Sequence, residues 1–99
     1  MRNYSTSSGR KTASAQISSL PGALCGIDVQ APASGQVTIL IYDSENSDLT
    51  NKIIVAEAYM DAGLAGTSHE YFSPIVVNKG IYAVMSGTSS SFIIRYLAG

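Results

Sequence analysis

The chain has 99 residues, 45% of them apolar and 13% charged, with a net charge of −1. That length is one domain, and the apolar share is too high for a disordered chain. The near-neutral balance argues against a general nucleic-acid binder, which needs Lys and Arg to displace counterions. The charged share is about half of the usual ~25%. Ser and Thr fill the surface instead, and a surface of that kind is poorly protected against association. It suits a protein whose surface is occupied by neighbours, or one that works in an extracellular or virion setting.

Residues 1–12 read as a polar N-terminal arm, and 13–99 as a single β-sandwich domain. The arm holds Arg2, Arg10 and Lys11, half of the six basic residues, and one aromatic, Tyr4. By composition alone it is a frayed terminus; the functional reading is a partner-binding segment, in which the three cations would meet acidic groups and Tyr4 would anchor the contact. A weak alternation from Thr12 to Ser18 predicts the first strand. Leu20-Pro21-Gly22 is a turn. Ala23 to Gln30 follows as a strand, with Asp28 and Gln30 marking the solvent face. That phase sends Cys25, Ile27 and Val29 inward, so Cys25 is expected to be buried and unreactive. Gly26 falls on the outward side and marks a bulge or a close backbone approach.

Gln36 to Asp43 is the strongest strand of the chain, rich in β-branched and aromatic residues. Val37, Ile39 and Ile41 share one face; Thr38, Leu40 and Tyr42 share the other. Neither face is properly polar, which predicts a central position or a second covered face. Residues 43–52 form a polar loop. Ile53 to Met60 is read as a strand over a competing helix, because its start is β-branched and no cap precedes it. Asp61 to Ser68 reads as a loop. His69 to Val77 is a strand interrupted by Pro74, which predicts an edge position or a bend. Asn78-Lys79-Gly80 is a tight turn. Ile81 to Ser86 and Ser91 to Leu97 complete the count, the last with Phe92, Ile94 and Tyr96 inward. Short strands separated by turns every 8–12 residues predict an all-β fold, an antiparallel β-sandwich or jelly-roll-like barrel.

No catalytic constellation emerges, and the chain is not expected to be an enzyme. His69 and Glu70 are neighbours on a strand and so point to opposite faces. Cys25 lacks a base and an activating environment. No G-x-S-x-G elbow is present. Asp43, Glu45 and Asp48 are oxygen ligands, but their spacing is not that of an EF-hand and the turn glycine is missing. One cysteine and one histidine make neither a disulfide nor a metal site, and no cofactor is expected. Six tyrosines suggest a sugar-stacking platform, but aromatics are common in strands and there is no Trp. The first residues carry no apolar signal-peptide core, and no run approaches the ~20 residues of a membrane span. Synthesis in a cytoplasm and no membrane contact are the resulting expectations.

Several strands are apolar on both faces: Ile39/Leu40/Ile41, Val84/Met85 and Ile93/Ile94. In a sandwich of this size the outer face should be wet, so a partly apolar one marks a protein interface. Taken with the polar head Tyr4 to Gly9, the stretch Leu24-Cys25-Gly26-Ile27-Asp28-Val29, the strand Gly35 to Asp43 and the stretch Gly80 to Thr88, the chain resembles small β-rich virion proteins of tailed bacteriophages, of the capsid decoration or cement type. The resemblance covers most of residues 4–97 and carries no catalytic residue. It implies a non-enzymatic virion structural protein, made in the host cytoplasm, that binds the major capsid protein or another virion protein. A homo-oligomer is expected from the two-faced strands, and the resemblance favours a trimer. The alternatives are a sugar-binding or adhesion module and a small tail or head–tail connector protein.

Overall fold

The computed structural model describes residues 6–30, 36–61, 67–86 and 91–98, with side chains described at all of these except 36, 60–61, 67–73 and 98. Eight strands run through them: β1 (Thr6–Ser7), β2 (Ala15–Ser18), β3 (Gly22–Gln30), β4 (Gln36–Asp43), β5 (Ile53–Asp61), β6 (Thr67–Val77), β7 (Ile81–Ser86) and β8 (Ser91–Ala98). No described residue is helical, and Ile53 to Met60 is strand. Ile53, Ile54 and Val55 are stiff at χ1 and lose freedom in a helix but not in a strand, which decides the competition.

The strands form two antiparallel four-stranded sheets, ordered β1-β8-β3-β6 and β2-β7-β4-β5. The pairs nest: β4 lies beside β5, β3 beside β6, β2 beside β7, and β1 beside β8. The chain is thus a long hairpin, with β4 and β5 at its tip, rolled so that successive pairs alternate between sheets. This is the strand order of an eight-stranded jelly roll.

Between the sheets lie Leu24, Ile27, Val29, Val37, Ile39, Ile41, Ala58, Val77, Ile81, Ala83, Phe92 and Ile94, all buried. Burial of each large aliphatic or aromatic side chain among them contributes about 1.5–3 kcal/mol. Val37, Ile39 and Ile41 take the inner face of β4 as their alternation predicts. Phe92 and Ile94 do the same on β8, with Tyr96 packed partly against the core.

Three sequence expectations need correction. First, Cys25 is half-buried, not buried. Leu24 and Ile27 are both fully buried although they are three residues apart. Against β8 the register passes from Leu24–Tyr96 to Gly26–Arg95, and Cys25 is the residue left over in the bulge; against β6 the excess lies on the partner strand, between Glu70 and Ile75. A bulge inverts the alternation of everything before it, and this one turns Cys25 out of the core. Second, β2 starts at Ala15, and β6 already includes Thr67 and Ser68. Third, the sandwich does not begin at residue 13. Thr6 and Ser7 pair with Tyr96 and Arg95, and the amide N–H of Ser8 donates to the Ile94 carbonyl at 2.8 Å. Lys11 and Phe92 exchange both backbone hydrogen bonds, at 2.8 and 2.9 Å. Residues 6–11 therefore form the broken edge strand of the first sheet, kinked at Gly9, whose φ of 74° suits glycine.

Pro74 sits in β6, which is an edge strand. The β3–β6 register also jumps there: Leu24 faces Ile75, and Gly26 faces Glu70. Of the two predicted alternatives the edge position is found, with a register irregularity beside the proline.

Candidate functional site

At the end of β4, the Asp43 carboxylate accepts from the backbone N–H groups of Asn78 (3.0 Å), Lys79 (2.8 Å) and Gly80 (3.4 Å). The turn between β6 and β7 is a concavity of N–H groups, and Asp43 is the anion that fills it. Glu45 pairs with Lys52 at 2.9 Å, and Asp48 accepts from the Thr50 N–H at 3.2 Å. The three loop acids thus have three separate partners and do not converge. Among the described residues no group of three or more His, Cys, Asp or Glu is placed to hold a metal. Beside this turn, Gln16 spends its amide on the carbonyls of Ser18 (2.7 Å), Ser44 (3.0 Å) and Ile81 (3.0 Å). A Cβ on Gly80 would collide with the carbonyl oxygens of Ser18 and Ser44, so glycine is required there for close approach. These contacts lock one end of the sandwich and have no reactive geometry.

On the outer side of the first sheet, Arg95 reaches Asp28, with Nη2 to Oδ1 at 3.3 Å and Nε to Oδ2 at 3.2 Å. Cys25 lies near this guanidinium. Burial pushes the Cys25 thiol above its ordinary pKa, and Arg95 partly opposes that shift. A shallow pocket of about 110 Å³ opens nearby, between Arg10, Asp28, Gln30, Ser91, Phe92 and Ile93. Arg10 is exposed and donates to Gln30 Oε1 at 3.4 Å.

Of the four residues predicted to bind a partner, the structure places two. Arg10 borders this pocket, and Lys11 is tied by its backbone to Phe92. Arg2 and Tyr4 lie outside the described residues. His69 and Glu70 are consecutive β6 positions opposite Ile27 and Gly26.

The outer side of the second sheet is different in kind. With Ile39 and Ile41 fully buried, Leu40 and Tyr42 take the opposite face of β4. Register extends that face across the sheet. Leu40 lies between Glu57 on β5 and Val84 on β7, and Tyr42 lies between Ile54 and Tyr82. Thr38 lies between Tyr59 and Ser86. Ile54 is 48% and Tyr59 49% exposed. Six of these nine positions are aliphatic or aromatic, and Glu57 carries the one formal charge among them. The two-faced strands of the sequence are placed accordingly: Met85 packs on the core and Val84 turns away, while Ile94 is buried and Ile93 only half-buried. What the sequence reading missed is that the outward residues of β4, β5 and β7 line up into one surface. Its signal was the repeated apolar pair on neighbouring strands.

Comparison with protein-family models, with curated proteins and with solved structures returns no match.

Proposed function

We propose that this chain is a non-enzymatic virion structural protein, a capsid cement or decoration subunit that binds the major capsid protein. The observation that carries the reading is the outward face of the second sheet, where Leu40, Tyr42, Ile54, Tyr59, Tyr82 and Val84 lie side by side. A contiguous apolar surface on a small domain is the mark of an assembled protein. The fold order supports the reading, since jelly rolls build viral capsid domains, although they also build lectins and cupins. The low charge of the chain removes the usual barrier to dense packing on a particle.

The direct test is co-sedimentation of the purified chain with capsids lacking it. Saturable binding at a fixed ratio to the major capsid protein is expected; failure to pellet with any particle overturns the reading. Density for the chain confined to the tail would assign it to the connector class instead. Arg10 is exposed beside the first sheet and suits an acidic partner. Arg10→Glu is therefore expected to weaken attachment about 10-fold or more while leaving the melting temperature within a few degrees, by the usual cost of reversing a rim charge. Binding isotherms and a thermal melt measure both.

A second reading, a sugar-binding module, is favoured by one feature. Tyr42 and Tyr82 are directly opposed on adjacent strands and could stack on a sugar ring. Selective binding on a glycan array, lost in Tyr82→Ala, would establish it.

A further inference from the structure

We infer that the outward face of the second sheet is an isologous interface, and that its occupant is a second copy of this chain packed face to face about a two-fold axis. The inference rests on the assembly reading above for the claim that this face is an interface at all, and it leaves contact with the capsid to another surface, the Arg10 side of the first sheet.

Area is the first argument. β5, β4, β7 and β2 have 9, 8, 6 and 4 residues. At about 3.3 Å per residue and ~4.8 Å between strands, one copy offers about 430 Å² of flat sheet face. A face-to-face pair then buries about 850 Å² before side-chain relief is counted, and that relief raises it towards the ~1,000 Å² at which specific interfaces begin to persist.

The distribution of polarity is the second argument. Leu40, Tyr42, Tyr82 and Val84 lie on the two inner strands, β4 and β7. Glu57 lies on the edge strand β5, and Thr38 and Ser86 sit together in one row. An apolar centre with charge at the rim is the anatomy of a protein interface. A two-fold axis parallel to the strands lays β5 of one copy over the β7 side of the other, so the two Glu57 carboxylates fall on opposite margins and do not meet. The face offers a foreign partner little charge pattern to read. The outer side of the first sheet, by contrast, carries the Asp28–Arg95 pair.

Closure is the third argument. One self-complementary face satisfies itself with two copies, whereas a trimer needs two different patches on each subunit. The geometry thus points away from the trimer that the family resemblance favours.

The experiment is sedimentation equilibrium on the full chain and three variants, with circular dichroism and a thermal melt to confirm folding. Leu40→Lys places a charge at the centre of the face. Tyr59→Arg places one at an exposed position of the same face, and keeps the test decisive if Leu40→Lys fails to fold. Val76→Lys alters an apolar residue on the other sheet, 69% exposed. The wild-type chain should be dimeric at tens of micromolar; Leu40→Lys and Tyr59→Arg should each weaken the dimer about 30-fold or more, the scale of an interface hot spot, and Val76→Lys should not. A monomer at about 100 µM overturns the inference. So does a trimer, or a dimer indifferent to every folded variant of the face, or one disrupted equally by Val76→Lys. Particle binding separates the two readings: a monomer that still decorates capsids overturns this inference and leaves the assembly reading standing, while a dimer that binds no particle does the reverse.

Discussion

Asp43 closes the turn between β6 and β7, and its chemistry fixes a pH dependence. Burial pushes its pKa up, but the N–H groups of Asn78, Lys79 and Gly80, helped by the Lys79 ammonium, pull it further down, so the net value lies below the ordinary carboxylate. A folded-state pKa below the unfolded one stabilises the fold fully above the unfolded value of about 3.9, and that stabilisation is lost as pH falls through the depressed folded value. Asp43→Asn should cost about 1 kcal/mol at pH 7, because the site is partly solvated. The difference from wild type should shrink as the pH falls below about 4, the range in which Asp43 itself takes up a proton. Urea midpoints at several pH values check it. Cys25, turned outward by its bulge, gives a second expectation. It should label with a thiol reagent in the native state, but slowly, because burial holds the thiol protonated. Cys25→Ser should change stability by no more than about 1 kcal/mol. No labelling short of unfolding would mean that the bulge points the other way.

Among the elements, the N-terminal segment is the one whose role changes most. Read as an arm, it should be removable without harm to the domain. Paired along β8, it satisfies the backbone of Phe92 and Ile94 and caps the edge of the first sheet. The Ile94 N–H also donates to Ser8 Oγ at 2.9 Å. Deleting residues 1–11 removes these bonds, each worth about 0.5–1.5 kcal/mol, and opens an edge beside the core. The melting temperature should fall by about 10 °C or more, at 4–8 °C per kcal/mol for a domain of this size. An unchanged melt would restore the arm. At the opposite edge of the same sheet, Pro74 withholds a donor and the register jumps, so β6 is a poor template for another strand. Both edges of that sheet are therefore poor templates for a further strand.

Across the whole molecule, the rolled hairpin joins the chain's two ends: Thr6 lies opposite Tyr96. Most pairings are long in sequence, and loop closure has to precede the contacts that offset it. Folding should therefore take milliseconds to seconds, the range of all-β sandwiches, and stopped-flow fluorescence of the tyrosines would time it. A microsecond phase accounting for the full amplitude would contradict this topology. The same roll places the inner faces of β4, β7, β3 and β8 together as the core. It leaves the apolar outer residues of β4, β5 and β7 on one surface, which is where an assembly role would be exercised.

Much of this was determined by the sequence alone. The alternation of Val37, Ile39 and Ile41 against Thr38, Leu40 and Tyr42 is local, because successive side chains on a strand point to opposite faces whatever surrounds them. Pro74 lacks an N–H, and that chemistry marks an edge strand without knowledge of its neighbour. The Asn78-Lys79-Gly80 turn is equally local. Tertiary structure decided the rest. The bulge at Cys25 is a matter of how β3 pairs with β8, and no residue of β3 announces which way the slip goes. That Asp43 would spend its charge on three amides 35 to 37 residues away, and that Ser8 would bond to Ile94 across 86, depends on which strands become neighbours. The shared outward face follows from the same cause. Each strand shows its second apolar side in its own sequence, but the β5-β4-β7 order decides that those sides are adjacent, because pairing is a non-local choice made among all strands together.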